Sequence, residues 1–200
     1  MHPQDIKVEY NIIMKLIIGV AGENGAGKDT FTTFFRAAAA PLTVAKLHFS
    51  DVLSETLNLW GIEKNRSNLQ NLAIIMDREY GKGSLTRATE LRINRRKEDI
   101  IIVEGVRWKT DVPLIRSFKK SFIVYVTADP KLRFDRMLTR NSKAGENRAT
   151  YSQFLKEEKA GTEVEIPEIG ASADFKIDNN GSINEFREKV EEFCKTHILK

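Results

Sequence analysis

The chain predicts an α/β fold, a parallel sheet covered by helices on both faces, and three observations predict it. Short apolar runs alternate with amphipathic stretches along the whole sequence, the signature of βαβ units. The runs are almost continuously apolar, as strands buried on both faces must be. The first of them passes through a glycine-rich turn straight into a helical pattern, in "LIIGVAGENGAGKDTFTTFF" at residues 16–35.

Five strands are expected: "KLIIGV" at 15–20, "VAKLHF" at 44–49, "DIIIVE" at 99–104, "FIVYVT" at 122–127 and "ADFKID" at 173–178. Between the second and third, "RSNLQNLAIIMDREYG" sets Leu69, Leu72, Ala73, Met76 and Tyr80 at helical spacing, a core-facing stripe, and Ser67 with Gln70 has the form of a capping box. After the fourth, "TADPKLRFDRMLTR" offers Asp129 as N-cap and Pro130 in the first turn, so a helix starts directly at the strand end. Ser182 and Glu185 repeat the capping box before the closing helix "INEFREKVEEFCKTHI". The polar, glycine-containing "NSKAGENRAT" at 141–150 reads as a mobile loop.

With 200 residues, 41% hydrophobic and 30% charged, the chain fits one globular domain with a good core. We place that domain at residues 14–200, because "MKLIIGV" starts at a second methionine, Met14, and read residues 1–13 as a weakly ordered extension. Cys194 is the only cysteine; it excludes an internal disulfide, suits a reducing compartment and reads as a buried spectator. No apolar run approaches the roughly 18 residues of a membrane span, and the N-terminus lacks a signal-peptide pattern. A cytoplasmic protein without a membrane partner is expected. The net charge of +4 is modest, with basic residues scattered among 28 acidic ones and no aromatic stacking platform, which argues against a nucleic-acid partner. A polyphosphate cleft accounts for the same excess.

The glycine turn has the form G-x-x-x-x-G-K: Gly22, Glu23, Asn24, Gly25, Ala26, Gly27 and Lys28, followed by Asp29 and Thr30. Glycines let successive N–H groups face a phosphate, the next helix adds its positive end, and the lysine reaches the β- and γ-phosphates. The bare motif is weak, and the strand before it and helix after it give it weight. Asp29 stands where many such loops carry a hydroxyl that ligates Mg²⁺. A carboxylate there needs a metal or its waters between itself and the phosphates, so Asp29 is expected to hold Mg²⁺, with Thr30 on an inner phosphate. An acid in the first turn also complements the helix dipole, and the two readings hold together.

The segment "GENGAGKDT" resembles the phosphate loop of the nucleoside monophosphate kinase group, and its Gly-Lys-Asp form resembles phage-type deoxynucleoside monophosphate kinases and animal-type phosphomevalonate kinases. "IIVEGVRWKTDVPLI" looks like that group's third strand, and "ADFKIDNNGSINEFREKV" is similar to the last strand and helix of dephospho-coenzyme A kinases; together the likeness covers residues 14–198. It implies a three-layer P-loop NTPase fold with a five-stranded parallel sheet of order 2-3-1-4-5, a helical acceptor segment at about 50–98 and a lid at about 131–160. It also implies ATP and Mg²⁺ as cofactors, and a monomer or homodimer.

Arg133, Arg136 and Arg140 lie at i, i+3 and i+7 on one helix face. Such a row is usually a solvated face, but this helix starts at the carboxyl edge of the sheet beside the loop. The resemblance makes the segment the lid, with Arg148 as a further member. Lid guanidiniums position and stabilise a transferring phosphoryl group, which makes Arg136 and Arg140 catalytic candidates beside Lys28. Between strands two and three, Ser50, Asp51, Arg66, Arg78 and Arg87, with Arg107 after the third strand, are candidate acceptor contacts. Asp51 is the candidate base for a hydroxyl acceptor, whereas a nucleoside monophosphate needs clamps and no base. The many arginines point to a small phosphorylated acceptor. Glu104, at the end of "IIIVE", either positions Mg²⁺ through water or pairs with Arg107. Asn179, Asn180 and Gly181 resemble the turn beside the adenine in related kinases.

Three function classes fit a phosphate loop: a kinase, a switch or mechanical ATPase, and a non-catalytic nucleotide sensor. The sequence lacks the Asn-Lys-x-Asp segment of a GTPase switch and is short for a mechanical ATPase, so a nucleoside monophosphate kinase-like transferase is the reading we carry forward.

Overall fold

The computed structural model describes residues 15–139, 150–159 and 163–199, with the Arg66 side chain outside the description. The chain starts with β1 (Leu16–Ala21), α1 (Lys28–Ala38) and β2 (Val44–His48), then forms α2 (Asp51–Leu59), α3 (Arg66–Tyr80) and α4 (Ser84–Arg95) before β3 (Ile100–Val106). It continues with α5 (Val112–Arg116), β4 (Ser121–Thr127), α6 (Pro130–Thr139), α7 (Tyr151–Glu158), α8 (Ile166–Ala171), β5 (Phe175–Asp178) and α9 (Ile183–His197). The five strands pair in the order β2-β3-β1-β4-β5, every pair parallel. This is the expected order. The five strand regions read from the sequence are all present, with their ends shifted by a few residues.

Period-two burial explains how one sheet carries two cores. Ile17, Leu47, Ile101, Val103, Ile123 and Tyr125 point to one face, where Ile93, Ile115 and Ile169 of α4, α5 and α8 cover them. Ile18, Val20, Ile100, Ile102, Val124 and Val126 point to the other, against Phe31 and Phe35 of α1 and Phe186, Val190 and Phe193 of α9. Cys194 belongs to that second core and is buried, as expected. A third, smaller core of Phe134, Met137 and Phe154 joins α6 to α7 alone.

Helix starts follow the expected chemistry at two places and depart from it at a third. Ser182 and Glu185 form the full capping box of α9, and Pro130 opens α6 directly after β4. The cap of α3 is Asn65, whose side chain accepts from the Asn68 N–H, rather than Ser67. An amide two residues earlier closes the same first turn, so the Ser67–Gln70 pairing is not used. The apolar stripe of α3 is also shallower than expected: Leu69, Leu72, Ala73 and Met76 are half-buried and Tyr80 is 70% exposed. The reason is that α3 packs on its neighbours α2 and α4 rather than on the sheet.

Arg140, Arg148 and nearly all of the loop at 141–150 lie outside the described residues, as do residues 1–14. Among the described residues no helix is long and apolar enough to cross a membrane.

Candidate functional site

The carboxyl ends of β1, β3 and β4 and the start of α1 meet where the sheet order reverses on either side of β1. Here the glycine loop is wound tightly. Gly25 and Gly27 have φ of 77° and 102°, a region that side-chain-bearing residues avoid. Gly27 is the N-cap of α1 and supplies no side-chain cap, so the helix's first N–H groups face outward without a side-chain partner from that position. Lys28, the first helical residue, folds its ammonium back to donate to the carbonyls of Gly22 at 2.7 Å and Glu23 at 2.9 Å. Burial pushes its pKa down to about 8, and the positive charge of Arg107 acts in the same direction, against Glu104, Glu23 and Asp29. A lowered, crowded ammonium beside a second cation is a site waiting for anionic charge.

The loop is braced from below and from the side. Glu23 turns its carboxylate under the loop to accept from the Tyr125 hydroxyl, whose pKa burial and this contact push up to about 12. Buried Asn179 donates to the Ala26 carbonyl at 2.8 Å, and Asn24 reaches the Met137 sulfur at 3.5 Å.

At the outer side of α1 a cavity of about 410 Å³ is lined by Gly25, Gly27, Thr30, Arg136, Thr139, Asn179 and Ile183. Arg136 donates from one terminal nitrogen to the Asn179 carbonyl at 3.0 Å, while its other terminal nitrogen is buried with no hydrogen-bond partner among the described residues. Thr30 and Arg136 therefore share one pocket beside the loop. Asn180 and Gly181 are exposed and do not line it; Asn180 instead accepts from the Asp129 N–H at 2.6 Å and donates to Asp178 at 2.7 Å. Of that turn, Asn179 lines the cavity.

On the other side of α1, Asp29, His48 and Glu104 bring one ligand atom each within 4.8 Å of one another. Glu104 is 2% exposed and accepts from the Thr32 hydroxyl at 2.5 Å. The Lys46 ammonium lies 3.2 Å from Glu104 and also pairs with Asp29. The sequence pairs Glu104 with Arg107 as one of two readings. The structure pairs it with Lys46, and Arg107 with Glu163, because β2 lies directly beside β3 and places His48 opposite Glu104. Hard oxygen ligands at a helix start beside a phosphate loop suit Mg²⁺, with Asp29 and Glu104 as the oxygen donors.

The expected arginines part company. Arg133 is 4% exposed; it donates to the Ala128 carbonyl at 2.7 Å and pairs with Glu158, so it ties α6 to α7 instead of facing a phosphoryl group. Arg78 is exposed and paired with its neighbour Glu79. Arg87 donates to the carbonyls of Tyr80, Gly81 and Lys82, closing the turn before α4. These two do not build the expected clamp, since each is bound within its own segment. Ser50 is exposed at the start of α2, and Asp51 accepts from the His48 N–H at 2.7 Å, closing the turn after β2. Of the expected acceptor arginines with a described side chain, only Arg107 acts electrostatically on Lys28.

Lys46, His48, Thr32 and Glu163 were not among the expected site residues. One signal was available: Lys46 and His48 are polar at alternate positions of an otherwise apolar strand, which puts both on one face.

No family model matches the chain. A UPF0200 protein from Hyperthermus butylicus is 30% identical over 172 residues, 86% of this chain and 89% of that protein. Another from Pyrococcus horikoshii is 28% identical over 181 residues, 88% and 94% of the two chains. Among solved structures, shikimate kinase from Bacteroides thetaiotaomicron superposes with a TM-score of 0.58 at 13% identity, over 90% of this chain and 98% of that one. TT1252 from Thermus thermophilus gives 0.57 at 17%, over 92% and 98%. Shikimate kinase from Acinetobacter baumannii in complex with shikimate gives 0.53 at 17%, over 93% and 96%. At these identities they establish the fold, that of P-loop kinases.

Proposed function

The chain belongs to the UPF0200 protein family, and from the site its fold builds we propose that it is an ATP-dependent phosphotransferase acting on a small phosphorylated acceptor, in the first instance a (deoxy)nucleoside monophosphate. The observation that carries this reading is the Lys28 ammonium, held on two loop carbonyls at the start of α1 with the charge of Arg107 beside it. A lysine at a helix N-terminus, within electrostatic reach of an arginine, suits a transferring phosphoryl group flanked by donor and acceptor phosphates.

In this reading the loop N–H groups and Lys28 hold the β- and γ-phosphates, and Thr30 lies towards an inner phosphate. Arg136 and Asn179 bind the nucleotide from the cavity beside α1, and Arg107 meets the acceptor phosphate. Asp29 and Glu104 would hold Mg²⁺, directly or through water, and the ion when bound would offset charge on the phosphate oxygens. Arg140 and Arg148 stay in the reading as lid arginines by resemblance alone, and Arg66 in the same way as an acceptor contact. Arg133 serves by fixing α6, which carries Arg136.

Arg136 lies on the nucleotide side of α1, so we expect Arg136→Ala to act chiefly on donor binding. The KM for ATP rises about tenfold or more, with kcat reduced less, as for the loss of a contact made equally in ground and transition states. Steady-state kinetics with varied ATP check this; a collapse of kcat at unchanged KM would return the residue to the transition state.

A second reading, a hydroxyl acceptor of the dephospho-coenzyme A type, gains from one finding: Arg78 and Arg87 are engaged elsewhere, which leaves fewer cations for a phosphate clamp. Asp51 is then the base. With a hydroxyl acceptor, Asp51→Asn lowers kcat by about a hundredfold or more; with a phosphate acceptor it changes little beyond acceptor KM. A coupled ADP-release assay with Mg-ATP against ribo- and deoxynucleoside monophosphates and dephospho-coenzyme A tests the whole proposal. Turnover with a monophosphate supports it, and turnover with dephospho-coenzyme A alone selects the second reading. ATP binding with no acceptor-dependent turnover points to a nucleotide sensor.

A further inference from the structure

The loop position after Lys28 carries an acid, and a second acid, Glu104, stands beside it almost wholly shielded from water. Two carboxylates at the edge of a phosphate site repel both the phosphates and each other, and such a pair is costly without a cation. Among the described residues Lys46, on β2, supplies a cation: it reaches Asp29 Oδ1 and stands 3.2 Å from Glu104 Oε1. Its side chain is only 24% exposed, and Thr32 and His48 close the rest of the Glu104 carboxyl, the latter with Nδ1 at 3.8 Å.

We propose that Lys46 is the resident counter-cation of the Asp29–Glu104 pair, that it competes with a divalent ion for these carboxylates, and that it restricts the ion to entering together with the nucleotide. The inference rests on the kinase reading above and adds to it a role for a residue on a different strand from the loop. Lys46 offsets carboxylate charge from within the chain, and its removal takes that offset away. A divalent ion arriving alone meets the ammonium at close range and has little net charge to attract it. When ATP binds, its phosphates bring further negative charge to the neighbouring loop and give the ammonium an anionic partner outside the pair. The carboxylates are then released to the ion. Lys46 is thus a positioning residue: it acts through Asp29 and Glu104, and keeps them from repelling the phosphates in the metal-free protein.

Mn²⁺ serves as the probe, with its free concentration read by electron paramagnetic resonance, in the presence and absence of a non-hydrolysable ATP analogue. The wild-type protein is expected to bind Mn²⁺ weakly alone and at least about tenfold more tightly with the analogue. Lys46→Met is expected to bind Mn²⁺ alone at least about tenfold more tightly than wild type, with the difference shrinking once the analogue is present. Lys46→Arg keeps the charge and stays weak without nucleotide. A Lys46→Met protein that binds nucleotide-free Mn²⁺ no better than wild type overturns the proposal, and so does a wild-type protein that binds Mn²⁺ equally well with and without the analogue. Should Lys46→Met fail to fold, the ¹⁵Nζ resonance of Lys46 in the wild-type protein gives the answer: it shifts on addition of Mg²⁺ with the analogue and not with Mg²⁺ alone, and a resonance indifferent to both sinks the idea. If the wild-type protein binds neither the analogue nor Mn²⁺ in its presence, the kinase reading itself fails, an outcome distinct from these.

Discussion

Lys28→Ala is expected to lower phosphoryl transfer by about a thousandfold or more while leaving the fold intact. The side chain belongs to none of the apolar clusters, and among the described residues its ammonium donates to two loop carbonyls, those of Gly22 and Glu23. Thermal unfolding of the variant should therefore match wild type closely, and ADP release should not. Retained turnover would remove the loop from the reaction.

The lowered pKa adds a second measurement on the same residue. In the free protein the ammonium titrates at about 8, so ATP affinity falls as pH rises through that value, because the group that attracts the phosphates is being lost. Fold stability moves the other way. Between about 8 and the ordinary lysine value of 10.5 the unfolded chain still holds the proton that the folded chain has released, so this residue's contribution to stability rises with pH across that window. Calorimetric titration of the ATP analogue at several pH values checks the first. A flat affinity from pH 7 to 9 would mean that Lys28 is not the main phosphate contact.

Gly25→Ala is expected to have the largest effect on the scaffold. An added Cβ would stand 2.5 Å from the backbone oxygen of Arg133 and 3.0 Å from its carbonyl carbon, at a φ of 77°. That backbone cannot retreat easily: the Arg133 side chain is itself anchored to the Ala128 carbonyl and to Glu158. Left-handed strain together with overpacking costs about 2–4 kcal/mol, a fall in Tm of roughly 4–16 °C for a chain of this size. Nucleotide binding should weaken as well, since the loop relieves the clash only by leaving its wound shape. Gly83→Ala is the matched control. It is left-handed at φ 82° and ψ 16°, and an added Cβ would meet only Arg87 Nη1 at an ordinary 3.7 Å, so only the backbone term, about 1 kcal/mol, should appear. Equal losses from the two would show that the contact with Arg133 does not bear on stability.

How much of this was legible in the sequence depended on whether the controlling interaction was local. The capping box of α9, the start of α6 at Pro130 and the strand-loop-helix around Gly22 to Thr30 all depend on neighbours a few residues away, and each stands where it was read. The arginine row of α6 shows the limit. Helical spacing put Arg133 and Arg136 on one face. Their partners were decided elsewhere: by α7, whose Glu158 pairs with Arg133, and by the turn after β5, whose Asn179 accepts from Arg136.

The sequence by itself determined the α/β class, the two-faced burial of the strands and the phosphate loop, because period-two apolar patterns, glycine placement and helix caps are written in consecutive residues. Only the tertiary structure decided what Asp29 and Glu104 stand beside. Asp29 and Glu104 lie on separate segments, and Lys46 on a third; they meet because β2 pairs with β3, and β3 with β1, in parallel register. A lysine in the middle of an apolar strand has no local reason to be there. Its reason is a pair of acids brought to it by the sheet.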